Sequence, residues 1–560
     1  MNEDVRLNYN FQDLVPGLWA SAILSINNYY FEQINRTKTF AVYQYVPGST
    51  PALDSYTKYG SDGFVSNGSY AQKNQYIQTY YNFLVGYNRE FGNNKISLLG
   101  TYNVDNASYN TLSQLSSIYK TAGVTANYSW KDKYIATVAA SYSGMNYYPP
   151  GKQWGFFPSA SLGWVISKEP FFHADWINLL KLRSTIGLAA WGYPGYFSWL
   201  QGYTINNSGD YNIGSTAASV SGANENTLAN PNITWEKSLQ WDAGLELAML
   251  NNKLSLVVDY YRNRNYDQLI TPYNTSAIIG QSLPQLNDGK INYYGTELNL
   301  GYEDNVGKLH YFIKGNISFA NNKVINVDEP NYPYNWMYRK GQPAGRMFGY
   351  QAIGFYQQGD DFVNTPHIAG YTPQAGDIKY KDLNGDGKID LLDQTALGTA
   401  KPLVFYGLNI GFQIAGFDLS ALLQGVQNRN LYIDPTSNTI QEFYNGYGNV
   451  QSFHLDRWTP TTATTAIYPR LSIGGNPNNT LASSFWMKNG NYIRLKNVEV
   501  GYSFPSSILK RIHIKGVRVF ANAYNLVTWS KVKQFNIDPE SGTNMFPNQK
   551  VINGGISIKL

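Results

Sequence analysis

The chain has 560 residues, of which 14% are charged and 15% aromatic; it carries 47 Tyr, 13 Trp and no Cys, with a formal net charge of +5. The missing cysteines exclude disulfides and thiolate metal sites, the small charge without a long basic run gives no sign of a nucleic-acid binder, and no run approaches the ~18 apolar residues of a membrane helix. A mean hydropathy of −0.36 in so aromatic a chain fits strands apolar on one face and polar on the other, rather than the roughly three or four globular domains that length alone proposes.

The first ten residues, MNEDVRLNYN, have neither a basic n-region nor an apolar h-region, so no signal peptide is read here. If the protein is exported, its N-terminus is expected upstream of Met1. Alternation with a period of two then dominates the chain. Segments of this kind lie near 2–11, 17–28, 74–88, 94–105, 120–130, 133–142, 157–165, 179–190, 236–248 and 253–260. Others follow near 291–302, 309–319, 403–413, 417–425, 490–503, 516–525 and 551–560. In the last of them Ile552, Gly554, Ile556, Ile558 and Leu560 share one face, opposite Val551, Asn553, Gly555, Ser557 and Lys559. The total is roughly seventeen strands of about ten residues, the length a tilted strand needs to cross a bilayer. The fold expected is all-β: a transmembrane antiparallel β-barrel.

The connections alternate in length. Short turns at 12–17, 91–94, 130–133, 250–252, 303–308 and 415–416 interleave with long polar stretches near 29–73, 106–119, 143–156, 191–235, 263–290, 320–402, 426–489 and 526–550. Outer-membrane barrels pair short periplasmic turns with long external loops, so the long stretches are expected outside the cell. Arg346–Gln357 looks like a strand in composition, but counting it in the wall would break this parity. It is expected to be a non-spanning part of a large extracellular loop, 320–402. An odd number of strands does not close a single-chain bacterial barrel, so strands are expected to be missing from the N-terminal side.

Within that loop, DLNGDGKIDLLD follows the calcium-loop pattern, with Asp382, Asn384 and Asp386 at positions 1, 3 and 5 and Gly387 at the sharp turn. The carbonyl of Lys388, Asp390 through a water, and Asp393 complete a candidate set for Ca2+. Asp393 stands where Glu is usual and reaches less easily for bidentate coordination, so a modest affinity of roughly 10⁻⁴ to 10⁻³ M is expected. The other reading is a solvated Asp/Gly turn.

Several segments resemble the SusC/RagA type of TonB-dependent outer-membrane transporter. They include Phe157-Pro-Ser-Ala-Ser-Leu-Gly-Trp164 with Ile166–Phe171, the hairpin Trp235–Ile270, Gly341–Gln357, Gly376–Asp390, Asp456-Arg-Trp-Thr-Pro460 and Tyr468-Pro-Arg-Leu471. Asn491-Tyr-Ile-Arg-Leu-Lys-Asn497, Gly501–Pro505, Asn525-Leu526 and Asp538-Pro-Glu540 complete the series, in family order over nearly the whole chain. That family's barrel has about twenty-two strands around a plugged lumen. The resemblance therefore implies that residues 1–560 are its C-terminal barrel part, about 17 of 22 strands, with the plug and TonB-box segment lying elsewhere. It further implies TonB-dependent import of oligosaccharides or peptides across the outer membrane. The partners implied are a SusD-like surface lipoprotein, the TonB complex and outer-membrane lipid.

Catalytic signals are weak by comparison. The five His, at 173, 310, 367, 454 and 513, show no metal-ligand spacing. No nucleophile elbow or HExxH occurs, so no enzyme is expected. Aromatics at strand ends read first as interface-belt residues. Those in long loops are ligand-stacking candidates: Trp191, Tyr193, Tyr196, Phe197 and Trp199 in one group, Tyr332, Tyr334, Trp336 and Tyr338 in another. Loop core or a docking surface for a lid is the other reading. Arg494 and Lys496 are expected to face the lumen or the interface. Two rival functions stay open: a passive porin or adhesin barrel, and a secreted carbohydrate-active enzyme with a dockerin-like loop, although dockerins carry two such loops and only one occurs here.

Overall fold

The structure is a computed structural model that describes residues 2–66, 68–109, 115–192, 194–205, 211–213, 218–220, 222–273, 277–446, 448–510, 513–542 and 547–559. Among them, seventeen strands belong to one sheet. Each of the seventeen alternating segments coincides with one of them, from Asn2–Asn10 and Leu18–Asn35 to Gly516–Ser530 and Val551–Lys559. No described helix is long and apolar enough to cross a membrane. Arg346–Tyr350 and Ala352–Phe355 lie outside the large sheet and pair with Gln394–Thr399 and Ile378–Tyr380.

The chain divides into two units. In the first, comprising 1–128, 138–158 and 193–197, the strands Asn2–Asn10, Leu18–Asn35, Ser69–Phe91 and Asn94–Tyr109 form an antiparallel meander. In the second, comprising 129–137, 159–192 and 198–560, a longer meander runs from Lys181–Gly187 paired with Ser159–Val165 to Val551–Lys559 paired with Gly516–Tyr524.

The short turns have the chemistry that a hairpin demands. Lys131 and Asp132 have φ of 55° and 53°, and Ala415 and Gly416 have 50° and 89°. Positive φ at both central residues is the turn whose twist matches that of the flanking strands. Several strands outrun the alternating segments. Leu18–Asn35 remains paired with Ser69–Tyr87 as far as Asn35, and Leu286–Val306 extends beyond both ends of its alternating segment. Outside the lipid layer both faces meet water, so the alternation fades while the backbone ladder continues.

The main buried hydrophobic cluster lies in the long loops. Tyr350, Ile378 and Ile389 from the stretch after Asn326 meet Ile433, Phe453 and Trp486 from the stretch after Gln427. Val532 and Phe535 follow the strand Gly516–Ser530 and join the same cluster. Backbone bonds reinforce it: the Tyr350 amide donates to the Ala482 carbonyl at 2.9 Å, and the Ser484 amide to the Tyr350 carbonyl at 2.9 Å. Three stretches that strand parity assigns to one end of the sheet thus share a single interior.

Candidate functional site

The calcium-type stretch is held by its own carboxylates. Asp382 accepts from the amides of Gly385 at 2.7 Å and Gly387 at 2.8 Å. The Asn384 carbonyl oxygen accepts from the Asp386 amide at 3.1 Å, and Asp386 accepts from the Lys388 amide at 2.9 Å. Asp393 is fully buried and closes the loop, its two oxygens accepting from Leu383 at 2.7 Å and Asp390 at 3.0 Å. Asp390 caps the following turn through the Leu392 amide at 2.8 Å. Gly385 and Gly387, at φ 77° and 83°, supply the left-handed backbone that this winding requires. Among the described residues, no group of three or more His, Asp or Glu is arranged as a metal site.

The second aromatic group is joined to this loop. Trp336 donates from Nε1 to the Leu392 carbonyl at 2.9 Å and stacks on Tyr334 with ring centroids 4.4 Å apart and planes 6° apart. Tyr332 and Tyr338 meet edge to face at 5.3 Å, and the Tyr338 hydroxyl both donates to the Tyr332 carbonyl and accepts from the Tyr332 amide. In the first group, Tyr196 and Phe197 pack on Tyr147 at 5.5 and 4.9 Å, and the Tyr196 hydroxyl accepts from the Leu115 amide. Trp191 is exposed at its strand end, and the Nε1 of Trp199 is buried. Tyr193 lies outside the described residues.

The motifs that carry the resemblance meet one another in this loop assembly. Gly376-Asp-Ile-Lys-Tyr380 and Tyr468-Pro-Arg-Leu471 are joined by Arg470 Nε, which donates to Asp377 Oδ1 at 2.7 Å. Asp377 is completely buried and also accepts from Asn476 and Asn479 at 3.0 Å and from the Tyr371 hydroxyl at 2.7 Å. A buried carboxylate persists as a charge only with such a ring of donors. Trp458 accounts for the glycine at 376: a Cβ there would lie 2.5 Å from the indole.

Arg494 is closed off from solvent. It is fully buried, with Nη2 2.7 Å from Asp538 and Nη1 2.6 Å from Glu540, and its Nε donates to Thr528 at 2.9 Å. Glu540 also accepts from the Tyr492 hydroxyl at 2.9 Å, and Lys496 lies 3.6 Å away. The Asn491–Asn497 and Asp538–Glu540 motifs are therefore the two halves of one ionic lock.

Sequence reasoning missed three residues. His454 is buried, accepts from the Gln451 amide at Nδ1 and donates from Nε2 to the Ile440 carbonyl, 2.8 and 2.9 Å away. Burial pulls its imidazole below the usual range, against the pull of Ile440 and Glu442. Glu442 accepts from the Tyr468 hydroxyl at 2.5 Å, and burial pushes that phenol up. Lys488 sits 4.1 Å from the Phe485 ring centre and 5.2 Å from that of Phe535, and burial brings its amine down to about 8. Nothing in the spacing of these residues marked them.

Comparison with known proteins accounts for the arrangement. Residues 2–526 match the family described as TonB dependent receptor-like, beta-barrel. The chain is 26% identical over 507 residues to TonB-dependent receptor P3 of Formosa agariphila, covering 83% of this chain and 49% of that protein. It is 27% identical over 463 residues to TonB-dependent receptor SusC of Bacteroides thetaiotaomicron, covering 77% and 43%. Its fold matches the structure of the RagAB peptide transporter with a TM-score of 0.74 at 18% identity, over 100% of this chain and 62% of that one. The chain thus spans about half the length of the TonB-dependent receptors that it matches. The family is non-catalytic and resides in the outer membrane. With the family pattern running through nearly the whole sequence and its motifs locked together in space, the chain belongs to the TonB-dependent receptor family, as the greater part of a SusC/RagA-type barrel domain.

Proposed function

We propose that this chain forms the wall of a TonB-dependent importer of oligosaccharides or peptides, working with a SusD-like surface lipoprotein and energised through the TonB complex. The observation that carries the reading is the single interior shared by three long stretches at one end of the sheet. A passive pore needs no such built cap, whereas an importer needs a firm mouth on which a lid can close and a ligand be captured. The long-loop end faces outward in this reading, by the parity of short and long connections. Peptides enter the proposal through the RagAB likeness and oligosaccharides through the resemblance of the motifs to the SusC/RagA type. The stacked pair Tyr334 and Trp336 is proposed to offer its ring face to such ligands; Tyr196 and Phe197 in the first unit, and Trp191 and Trp199 in the second, are proposed separately as further stacking residues. Tyr193 belongs to the same proposal.

Calcium is proposed as a stiffener of Asp382–Asp393. The oxygens of Asp382, Asn384 and Asp386 each engage one amide, which leaves each a second lone pair for an ion. Filling the site would rigidify the loop that carries Trp336.

The test is uptake by cells expressing the full-length gene with its neighbouring lipoprotein. Import of a labelled oligopeptide or oligosaccharide that stops when the proton gradient is collapsed supports the reading; uptake indifferent to the gradient contradicts it.

A further inference from the structure

The register of the wall between Glu236 and Asn326 resolves one of its faces into rows. Leu245, Val258, Leu298 and Ile317 are in register across four strands, and the row behind them on the other face is Gly244, Asp259, Glu297 and Ser318. The apolar face is the one that lipid covers. One step toward the long loops, the lipid face carries Ala243, Tyr260, Thr296 and Phe319. The next row is Trp241, Arg262, Tyr294 and Asn321, and the one after is Leu239, Arg264, Asn292 and Lys323. Lys290 stands two residues beyond Asn292 in the same strand. Apolar rows thus give way to an aromatic belt that already holds Arg262, and then to Arg264, Lys323 and Lys290.

Arg262, Arg264, Lys290 and Lys323 are exposed, and none makes a side-chain ion pair or hydrogen bond with a described residue. The carboxylates near them are engaged: Asp267 with Lys237 at 3.0 Å, and Asp288 with the Asn326 amide at 2.8 Å. The opposite rim of the same strands is balanced, because Lys253 there meets Asp304 at 2.8 Å. Neighbouring strands lie ~4.8 Å apart, so Arg264 and Lys323, two strands apart in one row, stand ~10 Å from each other. Long side chains converge from that spacing on a phosphate between them.

We infer that this patch binds the phosphate of a lipid headgroup in the outer leaflet. Aromatic rings mark the headgroup level, and cations just beyond it meet the anionic layer. The inference rests on the outward placement of the long loops proposed above.

Full-length transporter in neutral detergent, incubated with bisphosphorylated lipid A and weighed intact by native mass spectrometry, tests it. The wild type is expected to retain the lipid, and R262Q/R264Q/K290Q/K323Q to retain at least tenfold less while keeping its heat-modifiable band. Dephosphorylated lipid A should not be retained, and 1 mM inorganic phosphate should not displace the phosphorylated form. Equal retention by the variant, equal retention of the dephosphorylated lipid, or displacement by free phosphate would each overturn the inference. Should the fourfold variant misfold, K323Q alone is expected to reduce retention measurably, and unchanged retention counts against the patch. Labelling the long loops from outside intact cells tests sidedness separately, so a lipid site that fails on correctly oriented protein fails by itself.

Discussion

Arg470 and Asp377 stand 93 residues apart in the chain, yet their side chains meet at 2.7 Å around a carboxylate with no exposure to solvent. This contact pins the Gly376–Tyr380 strand segment to the Tyr468–Leu471 turn. Removing one partner of a buried pair costs about 3–5 kcal/mol because the other charge is left stranded. Arg470→Ala is therefore expected to loosen the loop assembly, read as faster limited proteolysis within 428–491, while the barrel keeps its heat-modifiable mobility. Unaltered cleavage would show that the pair does not hold the cap.

Arg494 makes a comparable lock with Asp538 and Glu540. Arg494→Met retains much of the stem but strips Asp538 of its cation and leaves Glu540 only Lys496, 3.6 Å away. Hydrogen exchange of 531–542 should rise by at least tenfold, whereas exchange within Leu254–Ile270 should stay as it was.

His454 is expected to give the cap a pH dependence. Its folded pKa lies below its unfolded value, so the unfolded loops bind the proton more readily and stability falls as pH drops below about 6.5. Lys488 acts in the same direction at the alkaline end: with a folded value near 8 against 10.5, stability rises as pH climbs through that window. Thermal unfolding of the loops between pH 5 and 7 should show the acid loss in the wild type and a flatter profile in His454→Gln, which retains a side-chain acceptor and donor. Identical profiles would remove His454 from the account.

Calcium binding at Asp382–Asp393 is tested by titrating the metal-stripped full-length protein. Asp386→Ala is expected to weaken calcium about tenfold or more without unfolding the wall. A wild type that takes up no calcium, or a variant that binds as well, refutes the ion. Asp393→Ala should destabilise the loop even in chelator, because both oxygens of that buried carboxylate hold backbone amides.

The wall was legible and the cap was not, for one physical reason. Lipid on one face of a strand writes a period of two into the sequence, so Leu254–Tyr260 announced itself. Once a strand leaves the bilayer both faces meet water and the signal ends although pairing continues; in Leu18–Asn35 the alternation stops near Asn28 while pairing runs on to Asn35. Parity then located the long stretches and kept Arg346–Gln357 out of the wall. It did not reveal that they share a core, because Tyr350, Trp486 and Phe535 converge from separate loops with no common spacing. The ion pairs were hidden likewise: Arg494 and Asp538 are 44 residues apart. Their motifs signalled membership of a family, and only the fold shows what the residues do. Of the proposed aromatic platforms, the sequence marked Trp336, but not its bond to Leu392.

The wall is proposed to belong to an energised importer with a built outer mouth. Uptake of a labelled oligopeptide or oligosaccharide by cells carrying the full-length protein, measured before and after an uncoupler, tests it most directly. Import is expected to collapse with the gradient and to be weakened by Arg470→Ala at normal surface abundance. Uptake that continues unchanged in uncoupled cells would contradict it and leave a passive pore.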